Sequence, residues 1–495
     1  MKSRRSLLSR AAGPALIALA TLASCREAEK ELTAPPASAA RAPANGGPTV
    51  TSVVPDSSPP GVILDITVNG SGFSQGAAVT LERQGVPVAK ITTNSTTFVT
   101  TRKLVARITI AADADSGKYD VAVVSSGRKG VGIESFTVAY VIDELGIIGG
   151  TWSRAHAIND RGEVVGASCT SDCLATAFYW TEAGGMQSLG TLPGFSRSEA
   201  YAINNRSQIF GAVICRSTDP GCGGTSKKRL VRWDKVGESW LITPVDGCSV
   251  ESFMMDFGNE AFVINNNEQC VGSRVTPAGR QLVFQTVSGG AVVNEEPLPS
   301  LVPGGMTTGY AISDAAMIVG RATRSGGGYE PVVWYRTATQ GWVILQLGLA
   351  STDYMSAATG ISEPDAAGRV RVTGWTHPAN GSGDRYSALA VRWTLEPDGS
   401  GGWRVASTER LENPKVGGGS LLRAWGKAVH SNGDVVGLSL ERPARWPVSG
   451  GIEILPVPNG GNKGRAMDIN NMGWIVGAVW DSSKNCDRAA IWRLR

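Results

Sequence analysis

Only three histidines, His156, His377 and His430, stand among 495 residues, so any chemistry that needs an imidazole has few places to occur. A zinc site needs several donors to converge, and neither these histidines nor the eight cysteines show the paired spacing that supplies them. No metal and no cofactor is expected. The best acidic set is Glu251, Asp256 and Glu260 in CSVESFMMDFGNEA, where the Phe-Met-Met run reads at least as easily as loop packing. No Ser, His and Asp arrangement and no glycine-rich phosphate loop opening a helix is present. These features weigh against an enzyme, although a fold by itself excludes no chemistry. One segment does mix side chains suited to recognition. WTHPANGSGDRYS brings Trp375, His377, Asp384 and Tyr386 into one insertion, and such groups stack on and hydrogen-bond to a sugar or a peptide.

The cysteines suggest an oxidising compartment. SCTSDC sets Cys169 near Cys173 and CRSTDPGC sets Cys215 near Cys222, each pair across the tip of a hairpin; Cys248 with Cys270 is a third candidate disulfide, which leaves Cys486 odd. The first residues agree with that compartment. A basic MKSRRSLLSR precedes the apolar AAGPALIALATLA, too short to span a membrane, and LASC follows at residues 22–25. LASC resembles the bacterial lipobox, which implies a lipoprotein signal peptide over residues 1–24 and acylation of Cys25. The membrane contact would be that lipid anchor, because no later segment reaches the roughly 20 apolar residues of a spanning helix. Arg26 is not the Asp that resembles an inner-membrane retention signal, so the expected location is the bacterial cell envelope, at the outer membrane or cell surface, facing outside the cytoplasm. Residues 25–47, rich in Ala, Pro and charge, read as a flexible tether.

The elements behind these residues are strands. With 62 Gly, 25 Pro, 42% hydrophobic and 18% charged residues, the chain has many turns and enough apolar material for sheets, which predicts an all-β fold. A net charge of +4 over this length is a weak field, and the densest basic run, Lys227, Lys228 and Arg229, reads as a solvated loop, so no nucleic-acid partner is expected. Over residues 48–140, PTVTSVVPDSSPPGVILDITVNGSGF and SGKYDVAVVSSGRKGVGIESFTV resemble an IPT/TIG domain, which implies a small immunoglobulin-like β-sandwich. Phe73, Tyr119 and Phe136 should share its interior, with Gly70 and Gly72 permitting a turn. Asp113, Asp115 and Gly117 read as a hairpin turn, since no acidic residue closes a calcium loop.

From Val141 onward the chain repeats itself. AHAINDRGEVVG returns as AYAINNRSQIFG, AFVINNNEQCVG, GYAISDAAMIVG, GKAVHSNGDVVG and AMDINNMGWIVG, with a stretched copy in ATGISEPDAAGRVRVTG. Each is a β-hairpin, and the closing Gly166, Gly211, Gly272, Gly320, Gly374, Gly437 and Gly477 lie 40 to 63 residues apart. A third strand follows each hairpin, ending at Trp180, Trp233, Gln285, Trp334, Trp393, Trp446 and Trp492, and another precedes it, as in IDELG and MQSLG. Four strands in seven units predict a seven-bladed β-propeller over residues 141–495, in which the recurring Trp, Val and Gly pack blade on blade. The last unit lacks a strand after Trp492, and AYVIDELG is expected to supply it. The units resemble the extracellular HAF repeat family, with LGIIGGTWSRAHAINDRGEVVGAS and TAFYW the best copy. That resemblance implies a secreted or surface propeller and carries no reaction with it. Departures are Thr176 in place of the family's His, Gln285 in place of Trp, and an insertion in the fifth unit.

Where the units agree they build the ring, so recognition should lie where they differ: the insertions at Cys215–Arg229, Cys248–Glu260, Ser362–Gly368 and Trp375–Ser387. The expected function is a surface-anchored, monomeric binding module that meets a glycan, peptide or envelope partner through propeller loops. The alternative is a propeller-based hydrolase or lyase acting on an extracellular polymer.

Overall fold

Alternating sequence becomes strand throughout the computed structural model, which describes residues 47–493 apart from 59–61, 112–113, 115–116, 220–221, 225, 246–263, 277–278, 290, 349–352, 379–387, 414–422 and 459–460. The described residues are all-β. Cys25, Asp113, Asp115, Cys248, Glu251, Asp256 and Glu260 lie outside them.

Residues 49–138 form two sheets around one core, a four-stranded one built on Ile63–Ser71 and Lys103–Ile110 and a five-stranded one built on Gly117–Ser125 and Arg128–Val138. Phe73, Tyr119 and Phe136 are buried in that core with Ile66, Leu81 and Leu104. Gly70 is required there because a Cβ would stand 1.8 Å from the Thr49 carbonyl oxygen.

Seven further antiparallel sheets follow. In the first, Ser153–Ile158, Val164–Cys169, Ala175–Thr181 and Gly185–Ser188 run from innermost to outermost strand. The same order recurs, and the strand ahead of each hairpin is the outermost strand of the preceding sheet. The third sheet shows three strands among the described residues, its hairpin's first arm being represented by the Ile264 to Cys270 bridge. Val141–Glu144 pairs with the last strand, Val141 opposite Arg493 and Glu144 opposite Ala490, as the missing partner of the seventh sheet.

Apolar side chains then join the sheets pairwise. Val165 and Tyr179 of the first meet Val231 and Trp233 of the second. The other pairs follow in turn: second with third, third with fourth, fourth with fifth, fifth with sixth, sixth with seventh. Val476 and Ile491 of the seventh pack against Phe178 and Trp180 of the first, so the circuit returns on itself.

The repeated residues explain why. Among the described residues, six of the closing glycines face a backbone bulge: Ala155 pairs with Gly166 and Ala157 with Val165, so His156 is an extra residue. A Cβ on Gly166 would lie 2.0 Å from the Arg154 carbonyl oxygen, and Gly211, Gly320, Gly374, Gly437 and Gly477 meet the same obstruction. Three of the tryptophans reach backward as well as inward: Trp334 Nε1 donates to the Pro299 oxygen at 2.8 Å, Trp446 to Glu412 at 2.7 Å and Trp492 to Pro456 at 2.8 Å, all carbonyls just past the preceding sheet's outermost strand. Gln285, which stands where the others have Trp, is buried and donates to Glu295 at 2.7 Å.

The turn asparagines do more than turn the chain. Asn159 Oδ1 accepts the amides of Arg161 and Glu163 at 3.0 Å each, while its Nδ2 donates to the Asn204 oxygen in the next sheet at 3.0 Å. Asn265 repeats this toward Ser313, and Asn470 toward Asn159, both at 2.9 Å. One residue further on, the side chains of Asp160, Asn205, Asn266, Asp314 and Glu363 accept the backbone amides of Asn471, Asp160, Asn205, Asn266 and Asp314 respectively. The turns are thereby laced into a belt around the ring.

Two expectations are corrected. Cys169 and Cys173 are thiols. The Cys169 sulfur instead accepts the Thr151 and Trp152 amides at 2.9 and 3.3 Å, hydrogen bonds that lower its pKa against the opposing effect of burial. Lys227, Lys228 and Arg229 are exposed but begin the strand Lys227–Val236 rather than forming a loop, and Lys227 Nζ lies 5.0 Å from the Phe195 ring centroid. Cys215 and Cys222 are bonded, with Cα atoms 5.6 Å apart, and Cys270 is also disulfide-bonded.

Candidate functional site

The bulge singles out one residue in every hairpin. Among the described residues these are His156, Tyr201, Tyr310, Thr359, Lys427 and Met467, each the extra residue on an innermost strand. All six are half-buried. Their neighbours in sequence are held fixed by the ring, yet the six copies carry five different residue types, so this position is free of the architectural demand that fixes the glycine opposite.

These side chains reach across to the next sheet. His156 Nδ1 lies 2.9 Å from the Ala200 oxygen, which can only accept, so Nδ1 carries the hydrogen. The His156 and Tyr201 rings stack with centroids 5.5 Å apart and an interplanar angle of 6°, and the Tyr201 hydroxyl donates to Glu199 Oε2 at 2.6 Å. Thr359 Oγ1 donates to the Gly426 oxygen at 2.7 Å. Asp468, just after the seventh bulge, accepts the Ile158 amide at 3.0 Å.

Enclosure tunes these groups. Burial lowers the pKa of the His156 imidazole, opposed by Glu199 and by the hydrogen bond to Ala200. Burial, reinforced by Glu199, holds the Tyr201 phenol far above its usual value. The Lys427 amine is brought down to about 8 by burial and by Arg465, and burial pushes the Asp468 carboxyl up to about 6 against the hydrogen bonds from Ile158 and Ile469. The innermost strands therefore offer the stacked His156 and Tyr201 rings, an imidazole whose burial disfavours its charged form, an amine near 8 and a carboxyl near 6.

Of the insertion expected to recognise ligand, Trp375 and His377 are brought together on the strand Val370–Pro378, half-buried, with ring centroids 4.9 Å apart at 68°. Asp384 and Tyr386 lie outside the described residues. The Cys215–Arg229 insertion is tied down: Asp219 accepts two hydrogen bonds from Arg197 at 2.8 Å each and one from Ser196 at 2.7 Å. Sequence reasoning passed over the bulge residues because it sought variation between units in loops. The signal was present within the repeat, in the second letter of AHAIN, AYAIN, GYAIS, ATGIS, GKAVH and AMDIN.

A cleft of about 440 Å³ opens between the fourth and fifth sheets, lined by Gly304, Gly305, Met306, Thr323, Gly328, Tyr329 and Met355. It lies at the ends of the strands Thr307–Ile312, Ile318–Thr323 and Tyr329–Thr337.

No family profile and no curated protein matches the chain. Among solved structures, it is similar to Aleuria aurantia lectin in complex with Fucα1-6GlcNAc, at 11% identity and a TM-score of 0.31 over 63% of this chain and 98% of that one. AofleA from Arthrobotrys oligospora is 12% identical with a TM-score of 0.30, over 67% and 86% of the two chains. A putative 6-phosphogluconolactonase from Bacteroides uniformis is 9% identical with a TM-score of 0.31, over 68% and 94%.

Proposed function

We propose that this chain is a lipid-anchored, extracytoplasmic binding module: an immunoglobulin-like domain of the IPT/TIG kind on a tether from Cys25, followed by a seven-bladed propeller that holds a surface glycan at its centre. The observation that carries the binding role is the division of labour within one repeat. Glycine, tryptophan and asparagine serve the ring in copy after copy, while the bulged position carries His156, Tyr201, Tyr310, Thr359, Lys427 and Met467. Aromatic rings beside hydrogen-bonding groups suit a sugar, whose C–H faces stack and whose hydroxyls need partners. The address rests on LASC at residues 22–25 and on the Cys215–Cys222 disulfide.

A glycan array and an envelope pulldown with the soluble Cys25→Ser form test the reading. Tyr310→Ala and Lys427→Met should each weaken retention about tenfold or more, the loss expected of one stacked ring or one charged hydrogen bond. Melting temperature should stay close to wild type. Retention unchanged in both variants, or capture of a protein partner with no glycan bound, would overturn it.

A hydrolase or lyase acting on an extracellular polymer is the second reading, favoured by Lys427 near 8 and Asp468 near 6 on adjacent innermost strands. New chain ends appearing in a retained polymer would establish it.

A further inference from the structure

Arg321 stands apart from every other arginine described above, because it is 1% exposed and its Nε and Nη2 have no hydrogen-bond partner. What it has is rings: Cζ lies 4.3 Å from the Tyr329 centroid and 5.9 Å from that of Tyr310. Aromatic faces offset only part of the cost of burying a guanidinium, and its Nε–Nη2 edge remains unused. Four other buried arginines of the ring are answered by carboxylates, Arg445 by Asp434 at 2.6 Å, Arg392 by Glu409 at 2.6 Å, Arg232 by Asp234 at 2.7 Å and Arg493 by Asp143 at 2.9 Å, and Arg488 donates to the Thr151 oxygen.

The cleft between the fourth and fifth sheets adjoins this side chain. Arg321 and Thr323 are two apart on one strand and therefore face the same side, toward the fifth sheet. Thr323 lines the cleft, and so does Tyr329, the ring that lies over the guanidinium. Met306 and Met355 give the cleft adaptable apolar walls, and its volume suits a single sugar ring or a small acid.

We propose that this cleft is a second binding site, which meets the bulge residues through Tyr310, and that it takes a ligand bearing a carboxylate, which displaces the Tyr329 ring and pairs with Arg321. A carboxylate matches the free Nε–Nη2 edge and supplies a countercharge that no described residue gives Arg321. The same position one sheet later holds Trp375, the residue after Gly374 as Arg321 is the residue after Gly320, so the sequence segment first suspected of recognition and this cleft use equivalent places in successive sheets.

Methyl-labelled methionine NMR on the intact soluble form tests it without depending on a variant. Glucuronate should shift the Met306 and Met355 methyl signals saturably, and glucose should not. N-acetylalanine, run beside them, separates the sources: response to glucuronate alone assigns a uronate, response to N-acetylalanine alone assigns a peptide terminus, and response to both supports the carboxylate site as stated. Arg321→Met should weaken the effective ligand about ten- to a hundredfold while leaving the Lys427-dependent ligand retention in place. No shift with either acid, or an equal shift with glucose, would overturn the proposal, whatever becomes of the axial reading.

Discussion

A buried tryptophan in this ring has two contributions to stability, and they can be separated. Trp334 is fully enclosed and donates to Pro299, whereas Trp233 is equally enclosed but its Nε1 has no partner. Trp334→Ala should cost about 3–5 kcal/mol through lost transfer energy and the cavity left behind. Trp334→Phe should cost about 1 kcal/mol more than Trp233→Phe, since only the former abandons a hydrogen bond and orphans a carbonyl. Urea melts of the three variants check this, and equal Phe penalties would assign the stabilisation to packing alone. Asp468 makes a pH-dependent counterpart. Its carboxyl is pushed up to about 6 by burial, so the fold favours the protonated form. The stabilisation is complete below the unfolded value near 4 and is lost as pH rises through 6. Asp468→Asn retains an oxygen for the Ile158 amide and should therefore raise the melting temperature at pH 7.5 while changing it little at pH 4. The same shift at both values would show that the charge is not the cause.

At the scale of the hairpin, the glycine opposite the bulge is the fixed point. Gly166→Ala places a carbon 2.0 Å from a backbone oxygen that no rotamer can move, so the bulge must open and His156 must lose its place over Tyr201. The expected cost is more than about 3 kcal/mol, beyond ordinary overpacking, read by thermal melting, together with loss of the upfield ring-current shift that the stacked rings impose on each other. Alternation, the closing glycine and the terminal tryptophan made the strands and their order legible from sequence, including the pairing of Val141–Glu144 with the final strand. The bulge was hidden, because one extra residue leaves hydrophobic alternation nearly intact and shows only in register. The asparagine belt was half legible: Asn in a turn is expected, but its second role depends on the next sheet's carbonyl arriving at 3.0 Å, as Asn204 does for Asn159. Cys169 and Cys173 misled for a related reason, since spacing across a tip says nothing of the two amides that hold the Cys169 sulfur. Arg321 carried a signal that went unused, a charged residue in the column that holds Ala167, Ala212, Ser273, Trp375, Leu438 and Ala478 in the other units.

Over the whole molecule, seven sheets contribute to one circuit, which closes where its first and last strands meet. Arg493 pairs with Asp143 at 2.9 Å, Ala489 donates to Ser153 Oγ at 2.9 Å, and Asn471 reaches Asp160 through both its backbone amide and its side chain. These contacts join residues more than 300 positions apart, so closure orders both ends of the ring at once. Removing residues 140–146 takes away the outermost strand of the seventh sheet and leaves an open edge beside the first. Hydrogen exchange on that deletion variant tests the closed propeller most directly. The account predicts that Ala489 to Trp492 lose protection together with the innermost strand Ser153–Ile158, while the strands of the fourth sheet keep theirs. Wild-type protection at Ala489 to Trp492 in the deletion variant would contradict it.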